Sequence, residues 1–566
     1  MNKALVFAFS GLLAIIGSIP AAGAQADKIA LPPRIGVNGE KDLPIAEAIE
    51  MALSNNADIE SSFIDREAAR FSLKAARGAY DLKLSVQSPF VRSITPMGSV
   101  LAGAADGKLL QREASIVPQL SGNIPWTGGS FGLSFSSKRT YTNNSFATLN
   151  PQYPSSLTLS FTQPLQRGLR FDSNRQRIEV ARKNILLSDE QFRQRVTEIV
   201  TQTTKAYWDL VYAVHNLDVQ RIAAETARRQ VESNRRMMEQ GLMAPIDIVE
   251  AETQMAQFEQ NAYTAQASLT AFENSLKTLI LPDRTSLLWS SKLIPITEPD
   301  LAPPDMLLDD AIRDALAGRP ELEGVKIAAE INKTNLRYYR DQAKPQVDLV
   351  ASYMSSGLAG LVRTSSASNP FTSGNGVMIE RLNELSALQN LPPIDLSSIG
   401  SLSGSGIPEV LIGGYQHSLS NLMGGDFPTT QVSLQISLPL RNRTAHGNIE
   451  SGLAEVRRSE VRCKQVEQQI EADVRNTMQS LASFRNGLEA ARTARRSAQE
   501  QYASEQRKFK AGTSTLFLVL QRQTTLVTAQ ISELRAQVDL AKATAEFERA
   551  TARILKAHAV VVRSLK

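Results

Sequence analysis

The chain has 566 residues, a formal net charge of +5 and only 6% aromatic residues. Its basic residues are mixed with acidic ones along amphipathic stretches, and no basic patch is interleaved with aromatics, so nucleic acid is not an expected partner. A single cysteine, Cys463, excludes an intrachain disulfide.

Lys3 precedes the apolar run Ala4 to Ile19, and Ala22-Gly23-Ala24-Gln25-Ala26 follows. A basic start, a short apolar run and small residues at the end predict a secretory signal peptide over 1–26, cleaved after Ala24 or Ala26. No later run of about 20 apolar residues predicts a transmembrane helix. A β-barrel remains as a way across an outer membrane.

Residues 27–43 read as an irregular extension. A helix is predicted over 45–80, with Ala48, Ile49, Ala52 and Leu53 on one face. From Asp81 the apolar period changes to two, at Leu82, Leu84 and Val86. Further strand signals occupy Ser115 to Leu120, Ser130 to Ser136 and Ser156 to Leu165, and Pro164 closes the last of them at a strand-to-helix turn. Strands and loops thus fill 81–165.

Residues 173–240 contain no proline or glycine. Val196, Ile199, Thr203, Ala206, Leu210, Ala213 and Leu217 recur at steps of three and four, and Val200, Tyr207, Val211 and Val214 make a second row. One row suits a two-stranded coiled coil, whereas two rows suit a helix with neighbours on both sides. At about 1.5 Å per residue such a helix is about 100 Å long. Gly241 suits its C-cap and Pro245 the first turn of the next helix, predicted over 245–280. A proline-bearing linker fills 282–307.

The arrangement then repeats over 308–556. Helices are predicted over 308–342, 446–510 and 515–556, with strands and loops over 345–440 and a tail over 557–566. Ala311-Ile312 mirrors Ala48-Ile49, and Pro439 mirrors Pro164. Along the long helices, Ile178 aligns with Ile449, Leu210 with Leu481 and Gly241 with Gly512, without a gap. Each half therefore reads as one long helix, two half-length helices in series, and strands at one end. Neither half holds the roughly eight strands a bacterial barrel requires, and an open sheet edge is not tolerated in lipid. The fold class predicted is a long antiparallel all-α barrel joined to a transmembrane β-barrel, internally duplicated and completed by other copies of the chain.

Particular strings support this layout: Phe161-Thr162-Gln163-Pro164-Leu165, Ala206-Tyr207-Trp208-Asp209-Leu210, Gly241-Leu242-Met243-Ala244, Leu438-Pro439-Leu440, and Phe509 through Thr515. With them the chain resembles the TolC-type outer-membrane efflux proteins over nearly its whole mature length. The resemblance implies a homotrimer with four strands per chain in a twelve-stranded barrel, among outer-membrane lipid, and a tunnel reaching into the periplasm. It also implies a periplasmic adaptor and an inner-membrane pump of RND or ABC type as partners, and export of drugs, toxins, metals or proteins. The linker 282–307 would be its equatorial region.

The strand regions are longer than two pairs of strands need, so 115–136 is either an extracellular hairpin or an addition to the barrel. Asp247 and Glu250 are the candidate pore constriction, a carboxylate ring that would concentrate cations. Their plainer role is to complement the helix dipole. At the matching places of the second half stand Leu518 and Gln521. Gly241, Leu242 and Ala244, with Gly512, Thr513 and Thr515, form two turns that the resemblance assigns to adaptor docking. The four histidines lack metal-ligand spacing, and no phosphate loop or nucleophile motif appears, so neither a cofactor nor an enzymatic activity is expected. The competing reading is a non-conducting periplasmic coiled-coil tether, which leaves the alternating strands unexplained.

Overall fold

The computed structural model describes residues 31–98, 103, 107–241, 243–302, 305–363, 375–389, 391–393 and 407–561. The signal peptide expected over 1–26 and Leu242 lie outside the described residues.

The chain opens with β1 (Gly39–Leu43), α1 (Ile45–Asn55) and α2 (Ala57–Arg77). Five strands follow: β2 (Lys83–Gln87), β3 (Phe90–Pro96), β4 (Lys108–Asn123), β5 (Ser130–Thr142) and β6 (Leu149–Pro164). Next come α3 (Ser173–Glu239), α4 (Pro245–Ile280), β7 (Ser291–Pro295), α5 (Leu308–Gly318) and α6 (Pro320–Gln342). The chain closes with β8 (Gln346–Val362), α7 (Asn375–Leu388), α8 (Tyr415–Gly424), β9 (Pro428–Ser437), α9 (Arg443–Lys510), α10 (Leu516–Ala550) and α11 (Ile554–Ala557).

Three predicted helices need correction. The helix expected over 45–80 is interrupted at Asn56, which is extended; its Oδ1 accepts the Asp58 amide at 2.9 Å and so caps α2. The helix expected over 308–342 is interrupted at Arg319, also extended. Pro320 follows, and proline both lacks an amide to continue the ladder and disfavours helical backbone in the residue before it. The helix expected over 515–556 ends at Ala550, and Ala552 has a φ of 58°. The extension and the linker are not wholly irregular either. Their strands β1 and β7 pair in parallel, Gly39 opposite Ser291 through Leu43 opposite Pro295.

The described residues form two compact units, each drawing on both halves of the sequence. The first lies within Met1–Ile59, Val196–Gly318 and Ile470–Val561 and is helical apart from β1 and β7. Both apolar rows of α3 are buried here: Val196, Ile199, Thr203 and Leu210 in one, Val200, Tyr207 and Val211 in the other. Small side chains let helices approach closely. Ala223, Ala224 and Ala227 of α3 pack with Phe258 of α4 and Val527 of α10. Burial of a side chain such as Phe258 contributes roughly 1.5–3 kcal/mol. Arg549 of α10 adds a 3.0 Å ion pair to Asp473 of α9, and Lys205 and Asp209 of α3 pair with Glu546 and Lys542 of α10.

The second unit lies within Glu60–Arg195 and Arg319–Gln469. Its centre is one sheet in the order β2-β4-β5-β6-β8-β9, with β3 also on β4. Every pairing in it is antiparallel. Residues 115–123 and 130–136 are therefore part of the sheet, within β4 and β5, and the sheet holds more strands than the four per chain that the resemblance implies for the barrel. α8 rests on β6 and β8. Its Asn421 donates to the Leu358 carbonyl at 2.9 Å, and Ser155 and Ser418 share a 2.7 Å hydroxyl contact. Gly357 permits this approach, because a Cβ there would meet the Ser418 carbonyl oxygen at 2.2 Å.

Candidate functional site

The two helix-to-helix tips of the first unit are built alike. α3 ends at Glu239, and Gly241 takes a φ of +70°, with its amide donating to the Met238 carbonyl at 2.9 Å. α9 ends at Lys510, and Gly512 takes a φ of +71°, with its amide donating to Phe509 at 3.0 Å. The Thr513 amide adds a bond to the Lys508 carbonyl at 2.9 Å, which completes a Schellman cap. A Cβ at either glycine would meet nothing within 4 Å, so backbone conformation rather than space requires glycine.

Beyond each glycine the solutions differ. At the first tip Ala244 is extended and Pro245 begins α4. Asp247 reaches back, its Oδ2 accepting the Ala244 amide at 3.3 Å. This is the carboxylate half of a capping box; Ala244 has no side-chain acceptor to supply the other half. At the second tip Thr515 precedes α10 without a side-chain cap, and the Thr513 hydroxyl donates to the Lys508 carbonyl at 3.1 Å. The Ser514 hydroxyl donates to the Glu505 carboxylate, which holds that carboxyl below its usual range. This staple escapes a sequence reading, since Glu505 and Ser514 lie on opposite sides of the turn.

The two tips share a core. Val231 and Ala251 of the first hairpin pack with Leu516 and Leu520 of the second, and Met243 and Phe509 pack against that cluster. Gly241, Ala244, Gly512, Thr513 and Thr515 are all exposed around it. The strand-end prolines are not equivalent: Pro164 is the last residue of β6, opposite Asp348, whereas Pro439 lies past the end of β9, before α9.

Next to the tips, α4, α9 and α10 enclose a groove of about 810 Å³. Glu250 and Gln521, which align in the two halves, both line it, together with Val249, Phe517, Thr524 and Thr528. Phe517 is 58% exposed and Val249 54% exposed. Asp247 is half-buried at its cap. The sequence supplies Glu250 and Gln521 by alignment, but not Phe517, whose exposure depends on which helices flank α10.

Comparison with known proteins follows the same division into halves. The outer membrane efflux protein family model matches residues 129–280 and 389–553. Alkaline protease secretion protein AprF of Pseudomonas aeruginosa is 27% identical over 197 residues, 34% of this chain; the match spans 39% of that relative's length. Among solved structures, the Campylobacter jejuni CmeC outer membrane channel superposes with a TM-score of 0.59 at 13% identity, covering 90% of this chain and 86% of that one. A membrane protein from Pseudomonas aeruginosa gives a TM-score of 0.59 at 14% identity, with 90% of each chain covered. Matched in both halves and over most of its helical and part of its strand sequence, the chain belongs to the outer membrane efflux protein family.

Proposed function

We propose that the chain is one protomer of a homotrimeric duct through the outer membrane, the exit of a tripartite efflux or type I secretion system. One observation carries the reading: the sheet of the second unit is apolar on one face and polar on the other. Leu84, Leu133, Leu159 and Tyr353 on its apolar face are between 38% and 72% exposed in the single chain. α8 covers this face at Ser155, Ser355 and Gly357; the rest of it suits lipid, and its polar reverse suits an aqueous lumen. Copies of the chain supply the neighbours that the sheet edges lack.

In this reading the duct is passive. Gly241, Leu242 and Ala244, with Gly512, Thr513 and Thr515, dock a periplasmic adaptor, which an RND or ABC pump drives from the inner membrane. Asp247 and Glu250 constrict the periplasmic end and favour cations there. The name of AprF ties that relative to protease secretion; the tips and sheet of this chain serve export of small molecules or of polypeptide equally well. The test is reconstitution of purified protein into planar bilayers. A conducting trimer is expected, and an elongated, non-conducting rod would instead identify a periplasmic tether. At the tips, Leu242→Glu should leave trimers intact and abolish export; normal export would remove the docking assignment.

A further inference from the structure

The β2 and β3 segments are one strand. Both pair with β4 in a single continuous register, Lys83 opposite Ser121 through Gln87 opposite Val117, then Phe90 opposite Ala114 through Pro96 opposite Lys108. Residues 88 and 89 only interrupt it. Among the described residues, the seven segments of the sheet thus make six staves per chain.

The pairings also place side chains in rows across all of them. Leu84 is opposite Leu120, Leu120 opposite Leu133, Leu133 opposite Leu159, and Leu159 opposite Tyr353. One position along, Ser85 is opposite Gln119, Gln119 opposite Ser134, and Ser134 opposite Thr158. Side chains of adjacent positions project from opposite faces. The leucine row is therefore continuous from the first stave to the fifth, and the polar row lies on the reverse of the first four, meeting Met354 on the fifth. Val432, Leu434 and Ile436 of β9 extend the apolar face to the sixth stave, all exposed.

We propose that all six strands of each chain enter the wall, so that three copies close an eighteen-stranded barrel, with residues 83–96 and 108–123 as two lipid-facing staves rather than an external hairpin. An external hairpin gains nothing from an apolar row in register with the membrane-facing strands, and it would expose that row to water. The edges fit closure as well. The sheet has an even number of antiparallel staves, so β2 and β9 run in opposite directions, and β9 of one copy meets β2 of the next antiparallel. That seam pairs the backbone groups that both edges otherwise leave open in lipid.

The occupant of each edge is thus a second copy of this chain. With strands about 4.8 Å apart and tilted by about 40°, eighteen strands give a barrel about 36 Å across between backbones, against about 24 Å for twelve. Barrels of sixteen to eighteen strands leave an aqueous channel. The lumen-facing row Ser85, Gln119, Ser134 and Thr158 is hydrogen-bonding, and the same face carries Lys83, Asp348 and the Glu113–Lys138 ion pair, so a wide lumen of this kind suits hydrated cargo.

This inference rests on the trimeric duct reading, and the experiment separates the two. Full-length protein in lipid nanodiscs is imaged by electron cryo-microscopy and its wall strands are counted. Eighteen, with residues 83–96 and 108–123 in the wall, is the expected count. A conducting trimer with twelve wall strands and residues 83–96 and 108–123 outside the lipid would overturn the inference and leave the duct intact. A particle with no membrane-embedded barrel would overturn both. In parallel, Leu120→Cys in a Cys463→Ser background is treated on intact cells with a membrane-impermeant maleimide. Protection until the protein is denatured in detergent is expected, and labelling on intact cells would place the segment outside the wall.

Discussion

The Tyr207 hydroxyl donates to the Leu43 carbonyl at 2.9 Å. The hydroxyl oxygen of Tyr207 in turn accepts the Thr297 amide at 3.0 Å. One fully buried phenol on α3 therefore holds the end of β1 and the residues just past β7, so the clasp between extension and linker is fastened to the long helix. Tyr207→Phe keeps the ring and leaves a buried carbonyl and a partly buried amide without this partner. The expected loss is about 1–3 kcal/mol of stability. Thermal unfolding of the variant beside the parent reads it, and an unchanged melting temperature would refute it.

The same clasp has an ionic brace. Glu273 and Lys277 on α4 are 0% and 1% exposed and pair at 2.7 Å. Arg34 reaches Glu273 at 2.6 Å, while the Lys277 ammonium donates to the carbonyls of Trp289 and Ser291 at 3.0 and 2.6 Å. Lys277→Met leaves the buried carboxylate with Arg34 alone and removes the donor to the Trp289 and Ser291 carbonyls. It should cost about 1–3 kcal/mol, more than removing an exposed pair such as Lys326–Glu323. Denaturant titration of both variants compares them.

At the second tip the effect depends on pH. The Ser514 hydroxyl keeps the Glu505 carboxyl below its unfolded value of 4.5. A depressed carboxyl contributes stability above that value and loses it as pH falls through the folded value. Glu505→Gln should therefore melt earlier than the parent at pH 7, and the gap should close as pH falls through the carboxyl's lowered folded value. A gap that persists in acid would show that packing, not ionisation, sets it.

Asp247 and Glu250 should behave differently from each other. Asp247 is committed to its cap, so Asp247→Ala should cost roughly 0.5–1 kcal/mol as well as altering conductance. Glu250 lines the open groove, so Glu250→Gln should leave stability unchanged and reduce cation preference. Reversal potentials across a salt gradient in planar bilayers measure that preference. Equal selectivity in parent and variant would take Glu250 out of the constriction.

Much of this architecture is legible in the residues. α3 is plain because two apolar rows persist without a proline or glycine to stop them. The tips are plain because Gly241 and Gly512 align. The strand content is less so. In β4 the alternation is clear from Ser115 to Leu120, but Arg112 and Glu113 obscure its start, where the strand runs on past the apolar row. β3 hides for the same reason, with Arg92 opposite Arg112. Asn56 carried a readable capping signal, an amide side chain ahead of Ala57-Asp58, yet the apolar face on either side of it suggests one helix. The groove at Phe517 is set by three helices from distant parts of the chain, and no local pattern encodes that.

The two interruptions at Asn56 and Arg319 follow helices of the same length, α1 and α5, each of 11 residues. They are enforced by unrelated chemistry, a side-chain cap in one case and a proline in the other. A shared position with unshared means shows that the break itself, and not the residue that makes it, is what the two halves have in common.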